Sequence, residues 1–265
     1  GPRGYYKDKF YTTAPCTFVS EIGYHGCPNR SSIEKMMTKQ GVYPWTEGRK
    51  WNDEWITKST RRYEAWGPTM DRNNLMLNQV NILFGSVPDD LDDFVFASQS
   101  VQAEAMKYFV EMWRSRKFER TGIIWWNVRD GWPIISDAVV DYYGSKKLAY
   151  YFLQNVQKNV CLLINDPVDG AYPLVAVNDT RLPAEGTVTV TDVATGKEVF
   201  KGSYNVGPNA VRFEPARDEG TGNVANPLRC ERRKLQQPLP VRRTALQAER
   251  VQGMARQDEN VYEQR

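Results

Sequence analysis

The stretch CTFVSEIGYHG, Cys16 to Gly26, places an acid at the end of a short apolar run, with a glycine two residues beyond it. Phe18 and Val19 are strand formers, Gly23 breaks the pattern, and the run is too short to specify a helix. Glu21 is therefore expected where a strand opens into a loop. A second stretch has the same design: in GIIWWNVRDGWP, Gly122 to Pro133, strand formers run into polar residues, Gly and Pro. Because side chains alternate along a strand, Trp125 and Trp126 are expected to point to opposite sides.

The intervening sequence supplies helices. NRSSIEKMMTKQG is read as a short helix, with Ser31 and Glu34 at capping-box spacing and Gly41 as its stop. From Val42 to Gly85 no period is sustained, and Trp45, Trp51 and Trp55 fall in what reads as a long decorated loop with helical turns. From about Asp90 the pattern becomes a helix, with acids in its first turn and bases in its last. Val101, Ala105, Tyr108, Phe109 and Met112 share one face. A further helix follows in SKKLAYYFLQNVQ, with Ser145 as the expected cap. Strand, helices, strand, helix is the order of an α/β domain with parallel strands.

Beyond Val156 the period changes to two, at Leu174 to Val177 and in TVTVTDVATGKEVFKG, which predicts an all-β module. The expected organisation is residues 1–155, then 156–218, then a basic tail, 219–265, read as disordered. Only four or five strands are visible, fewer than the seven or so of a β-sandwich, so an incomplete or unnatural end is expected.

Composition narrows the function. The 265 residues are 41% hydrophobic and 12% aromatic, enough to build a core, and the formal charge of +3 comes from the tail. The tail's basic residues are not interleaved with aromatics, so a nucleic-acid arm ranks last. No apolar run approaches bilayer length. Cys16, Cys27, Cys161 and Cys230 show no metal or disulfide framework, and with His25 as the one histidine a multi-histidine metal site and a Ser/His/Asp triad are set aside. The chain starts at Gly1, which predicts either a removed leader or a piece of something longer.

Three separated stretches, FVSEIGYHGCPN, ASQSVQAEAMKYFVEMWR and GIIWWNVRDGWPIISDAVVDYYGSKKLAYYF, together resemble the end of the catalytic domain of glycoside hydrolase family 2, in its β-mannosidase and exo-β-glucosaminidase branch. The resemblance implies a partial TIM (β/α)8 barrel, strands seven and eight with their helices, followed by an immunoglobulin-like β-sandwich module. It implies a retaining exo-β-glycosidase acting on an oligosaccharide or glycan, with no cofactor and no metal. It slightly favours a periplasmic or secreted protein, although the residues themselves leave the compartment open. By its place in the family's SE motif, Glu21 would be the catalytic nucleophile.

Trp126 would line the sugar subsite, Asp130 and Trp132 match the family's D-x-W pattern, and His25 is a candidate for binding a hydroxyl or for packing the loop. Trp45, Trp51 and Trp55 would either contact sugar or stabilise the insert. The family's acid/base, a glutamate directly after an asparagine, lies far upstream of the nucleophile, whereas in the chain Asp8 is the one acid before Glu21. Glu47, Asp53 and Glu54 read as solvated loop acids. The expectation is a piece that lacks the N-terminal barrel portion and its proton donor, and so is inactive alone. The alternative is a non-catalytic carbohydrate-binding or structural module.

Overall fold

The structure is a computed structural model that describes residues 7–59, 71–168 and 172–214. Its elements are α1 (Phe10–Thr13), β1 (Phe18–Ile22), α2 (Arg30–Met36), α3 (Asp53–Thr57), α4 (Arg72–Phe84), α5 (Leu91–Arg114), β2 (Gly122–Trp125) and α6 (Leu148–Val156). They are followed by β3 (Val160–Ile164), β4 (Leu174–Asn178), β5 (Ala184–Thr191), β6 (Glu198–Val206) and β7 (Ala210–Glu214). The two strands expected around Glu21 and Trp125 pair in parallel, Phe18 opposite Gly122 and Val19 opposite Ile123.

Helix α5 organises everything around that pair. Asp90 accepts from the backbone N–H groups of Asp92 and Asp93 at its start, as its acidic first turn predicts. Its N-terminal part packs Leu91, Phe94 and Val101 against the insert, where Trp45 and Trp55 are buried. Its C-terminal part packs Phe109, Met112 and Trp113 under β1 and β2. Ala103 and Met106, between them, meet Ala149 and the flank of α6.

Three local expectations differ from what the structure contains. The helix after Cys27 has Asn29 at its N-cap position, without a side-chain cap, and ends at Met36, short of Gly41, while Ser31 is an exposed first-turn residue. Glu34 pairs with Arg30 at 2.9 Å rather than closing a capping box. Residues 72–84 of the expected loop form a 13-residue helix, α4, capped by Asp71 and stopped by Gly85 in the left-handed region. Lys147, not Ser145, precedes α6, and Gln99 of α5 accepts from the Leu148 N–H at 2.8 Å, so a neighbouring helix provides the cap.

The period-two region forms antiparallel strands in two small sheets. One has the order β3–β4–β7, with β4 buried along its whole length, and the other pairs β5 with β6. This β region is fastened to α5 and the turn after it through two carboxylates. Tyr108 donates to Asp166, Arg114 donates to Asp179 at 2.8 Å, and Lys117 donates to the same carboxylate. The expected tail, 219–265, lies outside the described residues.

Candidate active site

At the carboxyl end of β1 the register slips between Val19 and Ile22, so that Ile22 rather than Glu21 stands opposite Trp125. The bulge has a plain consequence for side-chain phase. Val19 packs toward α5, and strict alternation would send Glu21 the same way. With the extra residue, Ser20 and Glu21 both face out and Ile22 returns to the core beside Phe109 and Met112. Glu21 is thus an exposed carboxylate at the end of a strand whose core contact is made by Ile22 and, in part, Val19.

Trp126 reaches the same end from the neighbouring strand. Its backbone N–H donates to the Ile22 carbonyl at 2.7 Å. Trp125 lies among the core clusters, while Trp126 is 57% exposed, so the two indoles divide as alternation predicts. The Trp126–Asn127 peptide is cis. Trp132, on the loop that follows, is 49% exposed, with the Lys58 ammonium 6.0 Å from its ring centroid.

Beneath these surface groups is a buried polar layer. His25 is 3% exposed, and its Nδ1 lies 3.2 Å from the Asp137 carboxylate. Burial pushes the imidazole below its ordinary pKa against the pull of Asp137, so a neutral ring faces an ionised acid. Burial acts to raise Asp137, but the His25 hydrogen bond and the nearby Arg72 and Lys147 charges hold it below the usual carboxylate range. Gln102 of α5 donates to the carbonyls of Tyr24 and Asp137 at 2.9 and 3.0 Å. Lys147, fully buried, donates to the carbonyls of Gly26 and Ser136 at 2.9 and 3.1 Å. The loop after β1 and the loop after β2 are therefore bonded to one set of buried donors.

Asp130 belongs to this layer rather than to the surface. It is 4% exposed, accepts from Ser136 Oγ at 2.5 Å, and burial raises its pKa against the Ser136 bond and the Lys147 charge. The structure thus brings Glu21 and Trp126 to neighbouring strand ends, and places His25 and Asp130 inside. Asp137, Gln102 and Lys147 had no local signature in the sequence. Each has a partner at least 35 residues away along the chain, so periodicity and motif spacing could not reveal them.

The insert tryptophans settle into the core. Trp45, Trp51 and Trp55 form an aromatic cluster with Phe94, and Trp55 donates to the Gly41 carbonyl at 3.0 Å. Glu54 accepts from the Thr38 backbone N–H at 2.8 Å and from the Thr38 hydroxyl, which makes it a brace for the 38–41 turn. Among the described residues no group of His, Cys, Asp and Glu is arranged to hold a metal ion.

An exposed acid at the carboxyl end of one parallel strand, with an exposed indole at the same end of the next, lies where barrel enzymes build their sites. The chain is similar to such enzymes in both sequence and fold. It is 36% identical over 160 residues to β-mannosidase B of Aspergillus flavus, a match that covers 59% of the chain. It superimposes on the β-D-mannosidase of Dictyoglomus thermophilum with a TM-score of 0.62 and 23% identity over 78% of the chain. For the exo-chitosanase of Amycolatopsis orientalis the TM-score is 0.55, with 18% identity over 77%.

The two structural likenesses show the fold alone, and no family model matches the chain. Together the matches bear out the resemblance to the β-mannosidase and exo-β-glucosaminidase branch of glycoside hydrolase family 2. The chain spans 15–17% of the length of the curated β-mannosidases and 24% of each of the two solved structures.

Proposed function

We propose that the chain is the portion of a retaining, β-mannosidase-like exo-glycosidase that carries the nucleophile, Glu21. On this reading β1 and β2 are the seventh and eighth strands of a TIM barrel spanning residues 1–155, and β3 to β7 are part of an immunoglobulin-like sandwich over 156–218. The observation that carries it is the β-bulge that turns Glu21 outward at the strand end shared with Trp126.

Glu21, ionised, attacks the anomeric carbon of a terminal β-linked sugar while the glycosidic oxygen departs with a proton from a second carboxyl. Water then hydrolyses the glycosyl ester and returns Glu21 to its starting state. Retention requires that second carboxyl about 5 to 5.5 Å from the first. We assign it to polypeptide outside the 265 residues, in keeping with relatives more than three times as long. General acid catalysis contributes about 10² to 10⁴-fold, so the chain by itself is expected to be inactive.

The exposed indoles of Trp126 and Trp132 offer flat apolar faces to the C–H face of a pyranose. His25 and Asp130, expected from the resemblance to contact sugar, are both buried; on this reading they hold the two loops under the subsite through Asp137 and Ser136. Mannose is favoured over glucosamine because the sequence matches are β-mannosidases.

The test is hydrolysis of an aryl β-mannoside by the polypeptide extended upstream of Gly1. Turnover with retention is expected, and Glu21→Gln should lower kcat at least 10³-fold with the fold intact. Unchanged turnover in that variant removes the nucleophile assignment. Sugar binding without any hydrolysis by the extended protein would favour a carbohydrate-binding module instead.

A further inference from the structure

At the opposite end of β2 from Glu21, a cleft of about 390 Å³ opens between the last turn of α5, the start of β2 and the end of β4. Its volume falls in the range of about 300 to 1,000 Å³ that small-molecule sites occupy. Among its lining residues are Trp113, Arg114, Lys117, Arg120, Gln157 and Asp179. We propose that this cleft binds an oxyanion, a phosphate or sulfate group. The inference does not rest on the glycosidase reading.

Charge gives the first reason. Three cations line the cleft against one carboxylate, and Asp179 is already shared by Arg114 and Lys117. No carboxylate among the described residues pairs with Arg120.

Orientation gives the second. The Arg120 guanidinium lies over the Trp113 ring, its central carbon 4.6 Å from the ring centroid, and one amino group is anchored to the Cys16 carbonyl. A stacked, anchored guanidinium keeps its remaining N–H groups in a fixed plane, which is the geometry that oxyanions take up.

Unmet donors give the third. Arg120 Nε and Trp113 Nε1 are both buried without a hydrogen-bond partner among the described residues, and Trp113 is only 4% exposed. A buried donor left unpaired is costly, and both side chains that carry one line the same cleft. An oxyanion there would add acceptors where the protein supplies none and balance the surplus positive charge.

The test is calorimetric titration of the 265-residue chain with inorganic phosphate and, separately, with glycerol phosphate, at an ionic strength held constant by chloride. Saturable binding is expected. Arg120→Gln should weaken it at least tenfold, and Asp179→Asn should tighten it several-fold by removing the one competing carboxylate. Tighter binding of the ester than of the free ion assigns the site to a phosphorylated ligand, and the reverse assigns it to free phosphate. Heat no larger than that of chloride alone, or affinity unmoved by both substitutions, overturns the proposal. If Arg120→Gln fails to fold, Asp179→Asn still decides the matter, because it acts in the opposite direction and leaves Arg120 in place.

Discussion

Gly23 is where one added methyl group would do most harm near the candidate nucleophile. A Cβ there would sit 2.4 Å from Asp137 Oδ2 and 2.7 Å from the Trp126 carbonyl oxygen. The carbonyl belongs to the backbone and Asp137 is held by His25, so neither can withdraw freely. Gly23→Ala is expected to cost about 1–3 kcal/mol in urea denaturation through overpacking. An unshifted midpoint would mean that the two loops are not clamped together at this point.

His25 makes a second prediction, and its sign follows from burial. The folded protein holds the imidazole below its ordinary pKa, so the unfolded chain takes up the proton first as pH falls. Stability should therefore decline as pH drops below about 6.5, the unfolded-state value, and level off for this group once the folded ring also protonates. The charged groups around the ring are Asp137, Lys147, Arg72 and Asp130. Thermal melts across that interval should show a shallower slope for His25→Gln than for the parent, and identical slopes would refute the assignment.

Elements were legible in the sequence where one periodicity dominated. α5 shows acids at its start, bases at its end and an apolar stripe, and it runs from Leu91 to Arg114 as expected. α4 escaped notice because Asn73, Asn74, Asn78 and Asn81 are interleaved with apolar residues around its circumference, leaving no clean stripe. Its boundaries, Asp71 and Gly85, were nonetheless ordinary start and stop residues. The starts of α2 and α6 have no local signature for another reason: Gln99 of α5 takes up the Asn29 side chain and also accepts from the Leu148 N–H, so neither start follows the spacing of Ser31 or Ser145.

The insert's aromatic cluster has a direct test at this level. Trp55 is completely buried against Phe94 and Trp51, and its indole N–H is spent on Gly41. Trp55→Ala should destabilise by about 3–5 kcal/mol, read from the denaturation midpoint. A cost below about 1 kcal/mol would return the insert to the loose loop that its sequence resembles.

Across the molecule, the change from helical to alternating periodicity near Val156 correctly marked where β structure takes over. What the sequence could not convey is how the two parts meet, because Asp166 and Asp179 look like ordinary turn acids until Tyr108, Arg114 and Lys117 are seen to converge on them. The site was legible in the same uneven way. Glu21 and the Trp125–Trp126 pair stood out from strand endings and motif, whereas the buried donors beneath them come from α5 and the approach to α6.

The parallel pairing of β1 with β2 also bears on the order of assembly. Thr121 donates to the Thr17 carbonyl across 104 residues of intervening chain, and closing so long a loop yields little until something already holds its ends near each other. Helix α5, whose own bonds are local, is the platform on which both strands land. Pulse-labelled exchange during refolding should accordingly protect α5 amides before the Trp126 N–H, so that the wall carrying Glu21 and Trp126 is the last part of this region to become rigid and the first exposed to error.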